Sequence, residues 1–313
     1  MSSLSPPSLP PAQQPTGAAQ RVPLGIALML GFCMTIPFSD ACAKLIGDRL
    51  PLGEMVLIRF VGQFVLLAPL ALALGGSLAM PRRVLAIVVL RAVLQMTAMG
   101  LMFLSLRWLP LADAVAIAFV MPFMMLAFGW FFAGEEVGRH RLAACTVGFG
   151  GTLLVVQPNF VAVGAPALLP MAAALLFALF MFATRSIARH FDPVAMQAMT
   201  GGVALLWMLP VLALGQGLGW NELRLVMPER SDVWVLILMT LAGTLAHLLM
   251  TWSLRFAPAS TLAPMQYLEI PCAALVGWLI FHDFPNNLAL LGISITIAAG
   301  LYIVHRERRR ARA

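Results

Sequence analysis

Residues Ser105-Leu106-Arg107-Trp108-Leu109-Pro110 recur 148 positions later as Ser253-Leu254-Arg255-Phe256-Ala257-Pro258. The same offset, without a gap, relates two further pairs, Gly129-Trp130 with Gly277-Trp278 and Glu135 with Asp283. It also relates two trios of small residues spaced by four, Ala144, Gly148, Thr152 and Gly292, Thr296, Gly300. Residues spaced by four share one helix face, where small side chains let helices approach closely. The sequence therefore predicts an internal duplication built from helices.

The composition is that of a membrane protein. Of the 313 residues, 61% are hydrophobic and 11% are charged, and mean hydropathy is +0.92. Soluble domains contain roughly 45–50% apolar and about 25% charged residues. A soluble fold of this length could not bury so much apolar surface, which excludes a soluble enzyme. The net charge of +7 comes from residues between apolar runs, without a nucleic-acid motif, so we expect no nucleic-acid partner.

Ten apolar runs are long enough to cross about 30 Å of hydrocarbon. We predict spans at 24–46, 52–74, 84–106, 111–133, 141–158, 165–187, 194–216, 232–254, 260–281 and 285–304. The proline-rich residues 1–23 are predicted to be a disordered cytoplasmic tail, and residues 305–313 a basic cytoplasmic tail. Residues 24–158 and 165–304 then hold five spans each. Because five is odd, the second repeat must be inverted, as in secondary transporters.

The distribution of basic residues predicts the orientation. Thirteen basic residues lie in the tails and the even-numbered breaks, against five in the odd-numbered breaks. By the positive-inside rule, both termini are then cytoplasmic. The four cysteines lie within apolar runs without CxxC spacing, and the sequence suggests no metal site and no cofactor.

Two stretches resemble a known family. Residues 105–114 with Pro122 and Gly134-Glu135-Glu136 resemble the first repeat of EamA-type drug/metabolite transporters. Residues 264–271 resemble the second, together with Gly277, His282-Asp283, Gly292 and Gly300-Leu301-Tyr302. The resemblance covers about residues 24–306, and it departs from the family at His282-Asp283, where Gly-Glu is usual.

The resemblance implies a ten-helix, 5+5 inverted-repeat carrier in the bacterial inner membrane. Its cavity would be lined mainly by helices 1, 3, 4, 6, 8 and 9. Residues 91–114 most resemble the branch that includes S-adenosylmethionine, riboflavin and metallophore carriers.

Polar and ionisable residues inside spans are costly in lipid and are therefore candidates for a substrate site. The candidates are Asp40, Arg91, Gln95, His247, Gln266, Tyr267 and Glu269, and Arg59 is a further candidate for coupling or gating. Arg91 and Gln95 are one turn apart and share a helix face. Each candidate also has an alternative role. Either arginine could snorkel to the membrane surface, and Asp40 could pair with Lys44. His247 could serve solely to join two helices by a hydrogen bond. Asp113 is expected to cap the end of a helix.

Prolines and one charged loop are candidates for gating. Pro37, Pro122 and Pro271 lie within spans, where proline removes a backbone hydrogen bond and kinks the helix. Such kinks serve gating or are merely static. The loop residues Glu135, Glu136, Arg139 and Arg141 are predicted to form a salt-bridged hinge.

Together these residues suggest alternating access around one cavity of mixed charge. Asp40 and Glu269 would form its acidic side, and Arg91 with Arg59 its basic side. Such a pocket suits a zwitterionic or amphoteric metabolite, for example an amino-acid derivative or a molecule like S-adenosylmethionine. Tyr267, Trp207 and Phe38 could supply flat contacts, and Glu269 or His247 could couple transport to protons.

Other functions are alternatives to a carrier of amphoteric metabolites. The alternatives are a carrier of riboflavin or another aromatic metabolite, and an exporter of metabolites or drugs. A channel would need a ring of like charges or carbonyls, and an intramembrane enzyme would need a catalytic motif that the sequence lacks. The sequence leaves open the direction of transport, the coupling ion and whether the protein is a monomer or a homodimer.

Overall fold

The computed structural model describes residues 21–109, 111–134, 138–156, 164–282 and 286–310. These residues form helices and their connections, with no strand among them. The α-helices are α1 (Val22–Ile46), α2 (Leu52–Ala73), α3 (Arg82–Ser105), α4 (Leu111–Ala118), α5 (Met121–Ala133), α6 (Arg139–Val156), α7 (Leu168–Ala188), α8 (Pro193–Gly217), α9 (Arg230–Phe256), α10 (Ala259–Leu262), α11 (Glu269–Phe281) and α12 (Asn287–Arg310). Short 3-10 helices lie at Ala165–Ala167, Asn221–Leu223 and Ala263–Leu268.

Seven helical stretches of the described chain are long and apolar enough to cross a membrane. They are α1, α2, α3, α7, α8, α9 and the stretch Ala259–Phe281. Met121–Phe132 and Leu290–Tyr302 are apolar but shorter. In hydrocarbon a backbone must satisfy its own hydrogen bonds, which a helix does within one segment. The molecule is therefore an all-helical, multi-pass membrane protein.

Two of the predicted spans, 111–133 and 260–281, are interrupted, where the sequence predicted kinks at Pro122 and Pro271. α4 ends at Ala118 and α5 begins at Met121, while α10 leads through a 3-10 turn into α11. Pro122 and Pro264 lie at the start of the new segments, where proline has no N–H to continue a helix. By contrast, α1 continues through Pro37.

α5 and α11 are alike in detail. Each has 13 residues, and each ends at a residue in the left-handed conformation, Gly134 with φ 60° and His282 with φ 59°. Both ends and both starts are separated by the 148 residues of the sequence repeat. α12 runs on to Arg310, so its last residues lie in the stretch predicted as a basic tail.

Helices from the two parts of the chain pack in antiparallel pairs. α1 lies against α9, α2 against α8, α3 against α7, and α6 against α12. In the α1–α9 pair, Gly25 lies beside Ala257 at one end, and the Ser39 hydroxyl donates to the Met239 carbonyl at 3.0 Å towards the other. These pairs bury two hydrophobic clusters, each with residues from both parts of the chain.

Small residues set the closest approaches between the parts. In α6, a Cβ added at Gly151 would lie 2.8 Å from the carbonyl oxygen of Gly292 in α12. Gly148 faces the Tyr267 ring and Gly300 faces Leu268. The small-residue faces predicted from the sequence therefore lie at close contacts, and α6 and α12 pack directly on each other.

Polar contacts link the parts at the helix ends. Arg49 pairs with Asp232 at 2.7 Å, and Arg107 pairs with Glu222. Arg141, predicted to join a salt-bridged loop, donates to Ser260 Oγ at 3.0 Å and Thr261 Oγ1 at 2.6 Å. The other loop acids, Glu135 and Glu136, lie outside the described residues, as does the Asp113 side chain.

Candidate functional site

A cavity of about 100 Å³ lies between α1, α3, α7 and α9, next to the starts of α5 and α11. Its polar lining residues are Ser39, Asp40, Arg59, Gln95, His247 and Glu269. Its apolar lining residues are Phe32, Ile36, Ala98, Met99, Met102, Phe103, Ala118, Met121, Ala173, Ala174 and Phe177.

Two carboxylates form the acidic side of the cavity. Asp40 lies on the α1 face that also presents Phe32 and Ile36, at helical spacing. Glu269 is the first residue of α11. The 3-10 helix before it interrupts the span, so a new helix begins beside the cavity. A helix start favours a negative charge. The ion pairs among the described residues lie elsewhere, so both carboxylates are available to a ligand.

Arg59 of α2 supplies the basic group of the cavity. It is fully buried, and its Nη1 donates to Thr244 Oγ1 at 3.0 Å and Gln63 Oε1 at 3.4 Å. The space for it depends on Gly243, where an added Cβ would lie 2.7 Å from Arg59 Cζ. Snorkelling is therefore wrong for Arg59, because its guanidinium is held inside the bundle by neutral partners.

His247 of α9 has a tautomer that its contacts assign. Its Nδ1 lies 2.9 Å from the Gly243 carbonyl oxygen, which can only accept, so Nδ1 carries the proton. Arg59 Nη2, 3.3 Å from the same nitrogen, is then a second donor and not its partner. Nε2 makes no hydrogen bond with the described residues and keeps its lone pair. His247 therefore offers an acceptor at the cavity as well as linking α9 to its surroundings.

Arg91 and Gln95 of α3, predicted to act together, lie in different surroundings. Arg91 is fully buried and donates to Thr184 at 2.8 Å, Thr200 at 3.0 Å and Gln197 at 3.1 Å. It is not among the cavity-lining residues, and it does not snorkel. Gln95 lines the cavity and is 1% exposed, yet its amide makes no hydrogen bond with any described residue.

Gln266 and Tyr267 lie behind the cavity wall. Gln266 Nε2 is 3.1 Å from the Met181 sulfur, and neither residue lines the cavity. The Tyr267 ring stacks on Phe119 at 5.2 Å between centroids, and its hydroxyl donates to the Phe119 carbonyl at 3.4 Å. These two aromatic residues are 148 positions apart, the same offset as in the sequence repeat. Of the prolines, Pro37 is buried between the lining residues of α1, while Pro122 and Pro271 lie in first helical turns.

The sequence left open that Lys44 pairs with Asp40, and the structure shows contacts of Lys44 with two other residues. Its Nζ donates to the Leu109 carbonyl at 3.4 Å and lies 5.2 Å from the centre of the Phe281 ring.

The flat surfaces of the cavity come from residues that sequence reasoning missed. Phe38 and Trp207 were expected there, but they are 37% and 50% exposed and do not line it. Phe32, Phe103 and Phe177 take that role. Met99 and Met102 also line the cavity, and their helical spacing from Gln95 could have identified them as lining residues.

Comparison with known proteins places the chain among transporters. The model of the EamA-like transporter family matches residues 23–157 and 165–305. A riboflavin transporter of Rhizobium johnstonii is 29% identical over 208 residues, 66% of each chain. An S-adenosylmethionine uptake transporter of Rickettsia bellii is 24% identical over 91% of this chain and 95% of its own. A pseudopaline exporter of Pseudomonas aeruginosa is 24% identical over 90% of this chain and 93% of its own.

A solved crystal structure shares the fold. It has a TM-score of 0.72 at 17% identity, over 92% of this chain and 99% of that chain.

Proposed function

Because the chain belongs to the EamA-like transporter family, we propose that it carries a small amphoteric metabolite across the bacterial inner membrane by alternating access. Family membership identifies a membrane transporter rather than an enzyme, one that works among lipids on a small molecule. The proposal adds ten spans as two inverted halves, residues 24–158 and 165–304, with both termini cytoplasmic. It also adds Asp40, Arg59, Gln95, His247 and Glu269 as the substrate site.

Three observations support the inverted halves. The helix pairs α1–α9 and α3–α7 exchange places when the two halves are exchanged, and α2–α8 and α6–α12 each pair equivalent helices. α5 and α11 agree in length, in their left-handed ends and in the 148-residue offset. The stacked Phe119 and Tyr267 have the same offset. A two-fold axis between inverted repeats produces this pattern.

The mixed charge of the cavity supports the substrate class, and it is the observation that carries the proposal. Asp40 and Glu269 accept an ammonium or another cationic group. Arg59 can bind a carboxylate through two parallel hydrogen bonds. A molecule with both charges satisfies both sides, whereas a simple anion or cation leaves one side buried and unpaired.

The burial of the lining residues supports a moving mechanism. Arg59, Gln95 and His247 are at most 4% exposed, so a metabolite reaches them only when the packed helices around the site separate. Charged groups that the ligand neutralises are the natural elements to couple with this motion. Proton coupling through Glu269 or His247 belongs to the proposal.

A second candidate is a carrier of an aromatic metabolite such as riboflavin. The apolar lining of Phe32, Phe103, Phe177 and neighbouring methionines favours it. In that case stacking would govern recognition, and the carboxylates would matter little.

Counterflow in proteoliposomes tests both candidates. The purified protein is reconstituted into liposomes that contain unlabelled S-adenosylmethionine, methionine or riboflavin. The labelled form of the same compound is added outside, with and without a pH gradient. We expect saturable exchange of an amphoteric compound that falls at least tenfold in Glu269→Gln. Glu229→Gln is the matched control, because Glu229 is exposed before α9.

Each outcome decides between the candidates. Exchange of riboflavin alone, unchanged in Glu269→Gln and Arg59→Met, supports the aromatic carrier and rejects the amphoteric one. Exchange of an amphoteric compound at the wild-type rate in both Asp40→Asn and Glu269→Gln rejects the proposed site. A flux far above about 10³ per second indicates a channel instead.

A further inference from the structure

Gln95 is a buried amide with no partner in the described protein. It lies in the middle of α3, is 1% exposed, and lines the cavity. Neither its Nε2 nor its Oε1 makes a hydrogen bond with a described residue. Leaving such a group unpaired costs about 1–3 kcal/mol, and the other cavity residues do not relieve that cost. The amide is therefore poised to bind a group of the ligand.

Two other buried glutamines near the cavity, Gln63 and Gln197, show the contrast. Gln63 donates to the Gln197 carbonyl at 2.8 Å and accepts from Arg59. Gln197 accepts from Arg91 at 3.1 Å, although its Nε2, like the Gln95 amide, has no partner among the described residues. These amides hold the helices together. Gln95 contributes nothing to that network, so its polarity at this place has no structural use among the described contacts.

The chemistry of an amide restricts what Gln95 can recognise. Its oxygen accepts and its nitrogen donates side by side, so it matches a ligand edge that carries one donor next to one acceptor. The edge of a nitrogen heterocycle is such a group, and glutamine pairs with adenine in this way in DNA recognition. The charged ends of an amphoteric ligand have separate partners in Asp40, Glu269 and Arg59.

The apolar side chains next to Gln95 complete this argument. Met99 and Met102 follow it by four and seven residues on the same face of α3 and line the same cavity. Phe103 and Phe177 line it as well. Thioether and aromatic groups pack well on a flat ring. Gln95 thus lies where a ring covered by these side chains would present its polar edge.

We infer that Gln95 selects metabolites that contain a flat nitrogen heterocycle, by pairing its amide with a neighbouring donor and acceptor on the ring edge. This inference rests on the proposed function for the charged end of the ligand. It adds a specificity-determining residue and narrows the substrate class to an amphoteric or polar molecule that carries such a ring.

Binding to two matched ligand pairs tests the inference. S-adenosylmethionine is compared with S-methylmethionine, which keeps the sulfonium, the amine and the carboxylate but lacks the ring. Riboflavin is compared with 3-methylriboflavin, in which a methyl group replaces the ring N–H. Dissociation constants are measured by ligand-dependent shifts in thermal unfolding of wild type and Gln95→Leu in lipid nanodiscs. Gln216→Leu, at an exposed position of α8, is the matched control.

We expect wild type to bind the intact ring of at least one pair more tightly than its partner. Gln95→Leu should weaken that binding about 10- to 100-fold, the range for losing a buried hydrogen-bond partner. Its binding of the partner compound should stay within twofold of wild type. The unliganded unfolding temperature should not fall, because Leu fills a similar volume without an unpaired amide.

Four results would overturn the inference: equal loss for both members of a pair, no loss for either, no preference in wild type, or no binding of any of the four compounds. The proposed function fails in a different way. Binding without counterflow in wild type rejects transport. Counterflow in wild type, together with unchanged ligand binding in Gln95→Leu, rejects only the role of Gln95.

Discussion

Adding one methyl group at Gly151 should weaken the contact between the two halves. In Gly151→Ala the new Cβ would lie 2.8 Å from the carbonyl oxygen of Gly292 and 3.0 Å from Thr296 Cγ2. The carbonyl belongs to the backbone of α12, so it cannot rotate away as a side chain would. α6 and α12 must therefore separate locally.

The neighbouring glycine provides a control with the same change in composition. At Gly150, also in α6, an added Cβ would meet no heavy atom within 4 Å. Overpacking costs about 1–3 kcal/mol, whereas relief of helical glycine contributes roughly 0.5–1 kcal/mol in both variants. The two variants should thus differ by about 1–3 kcal/mol, with Gly150→Ala the more stable.

Thermal unfolding of both variants in the same lipid nanodiscs measures this difference. At roughly 2–4 °C per kcal/mol for chains of about this size, Gly151→Ala should unfold several degrees below Gly150→Ala. Equal unfolding temperatures would refute the close α6–α12 contact and one support for the inverted halves. An unfolding temperature below that of wild type in both variants would show that α6 itself tolerates no methyl group.

Two further substitutions separate structural from substrate-binding roles. Gln63→Leu should lower stability by about 1–3 kcal/mol, because it removes the Gln63 bonds to the Gln197 carbonyl and to Arg59 and leaves an Arg59 N–H without that acceptor; thermal unfolding that matches wild type would contradict this. Phe177→Ala should reduce counterflow at least tenfold, while Trp207→Ala, on the exposed surface of α8, should leave it unchanged. Equal effects of these two changes on counterflow would mean that the cavity is not the substrate site.

The sequence predicted the helical membrane fold because the physics involved is local. Apolar length sets a span, and most predicted spans agree with the helices to within a few residues. Kinks were predicted at Pro122 and Pro271, but not the full helix ends within 111–133 and 260–281, because both runs are apolar throughout and a proline can also lie inside a continuous helix, as Pro37 does. Whether a proline interrupts a helix depends on the neighbouring helices, which a single sequence does not show.

The candidate site was predicted in part for a related reason. Cost in lipid identified Asp40, Arg59, Gln95, His247 and Glu269, and all five line the cavity. The same criterion selected Arg91, Gln266 and Tyr267, which are buried against protein instead. Burial in lipid, in protein and beside a cavity looks alike in sequence, because each places a polar residue in an apolar run. Only the partners distinguish them, and those come from distant helices.

The two buried arginines are joined by one line of hydrogen bonds through Gln63 and Gln197. Arg59 donates to Gln63, Gln63 donates to the backbone of Gln197, and the Gln197 side chain accepts from Arg91. This line crosses from α2 to α8 and back to α3, so it includes both halves of the chain. A carboxylate that binds Arg59 competes with Gln63 for its donors and so acts on the contact between α2 and α8. Arg91 is therefore connected to Arg59 of the cavity, although it lies outside the cavity itself.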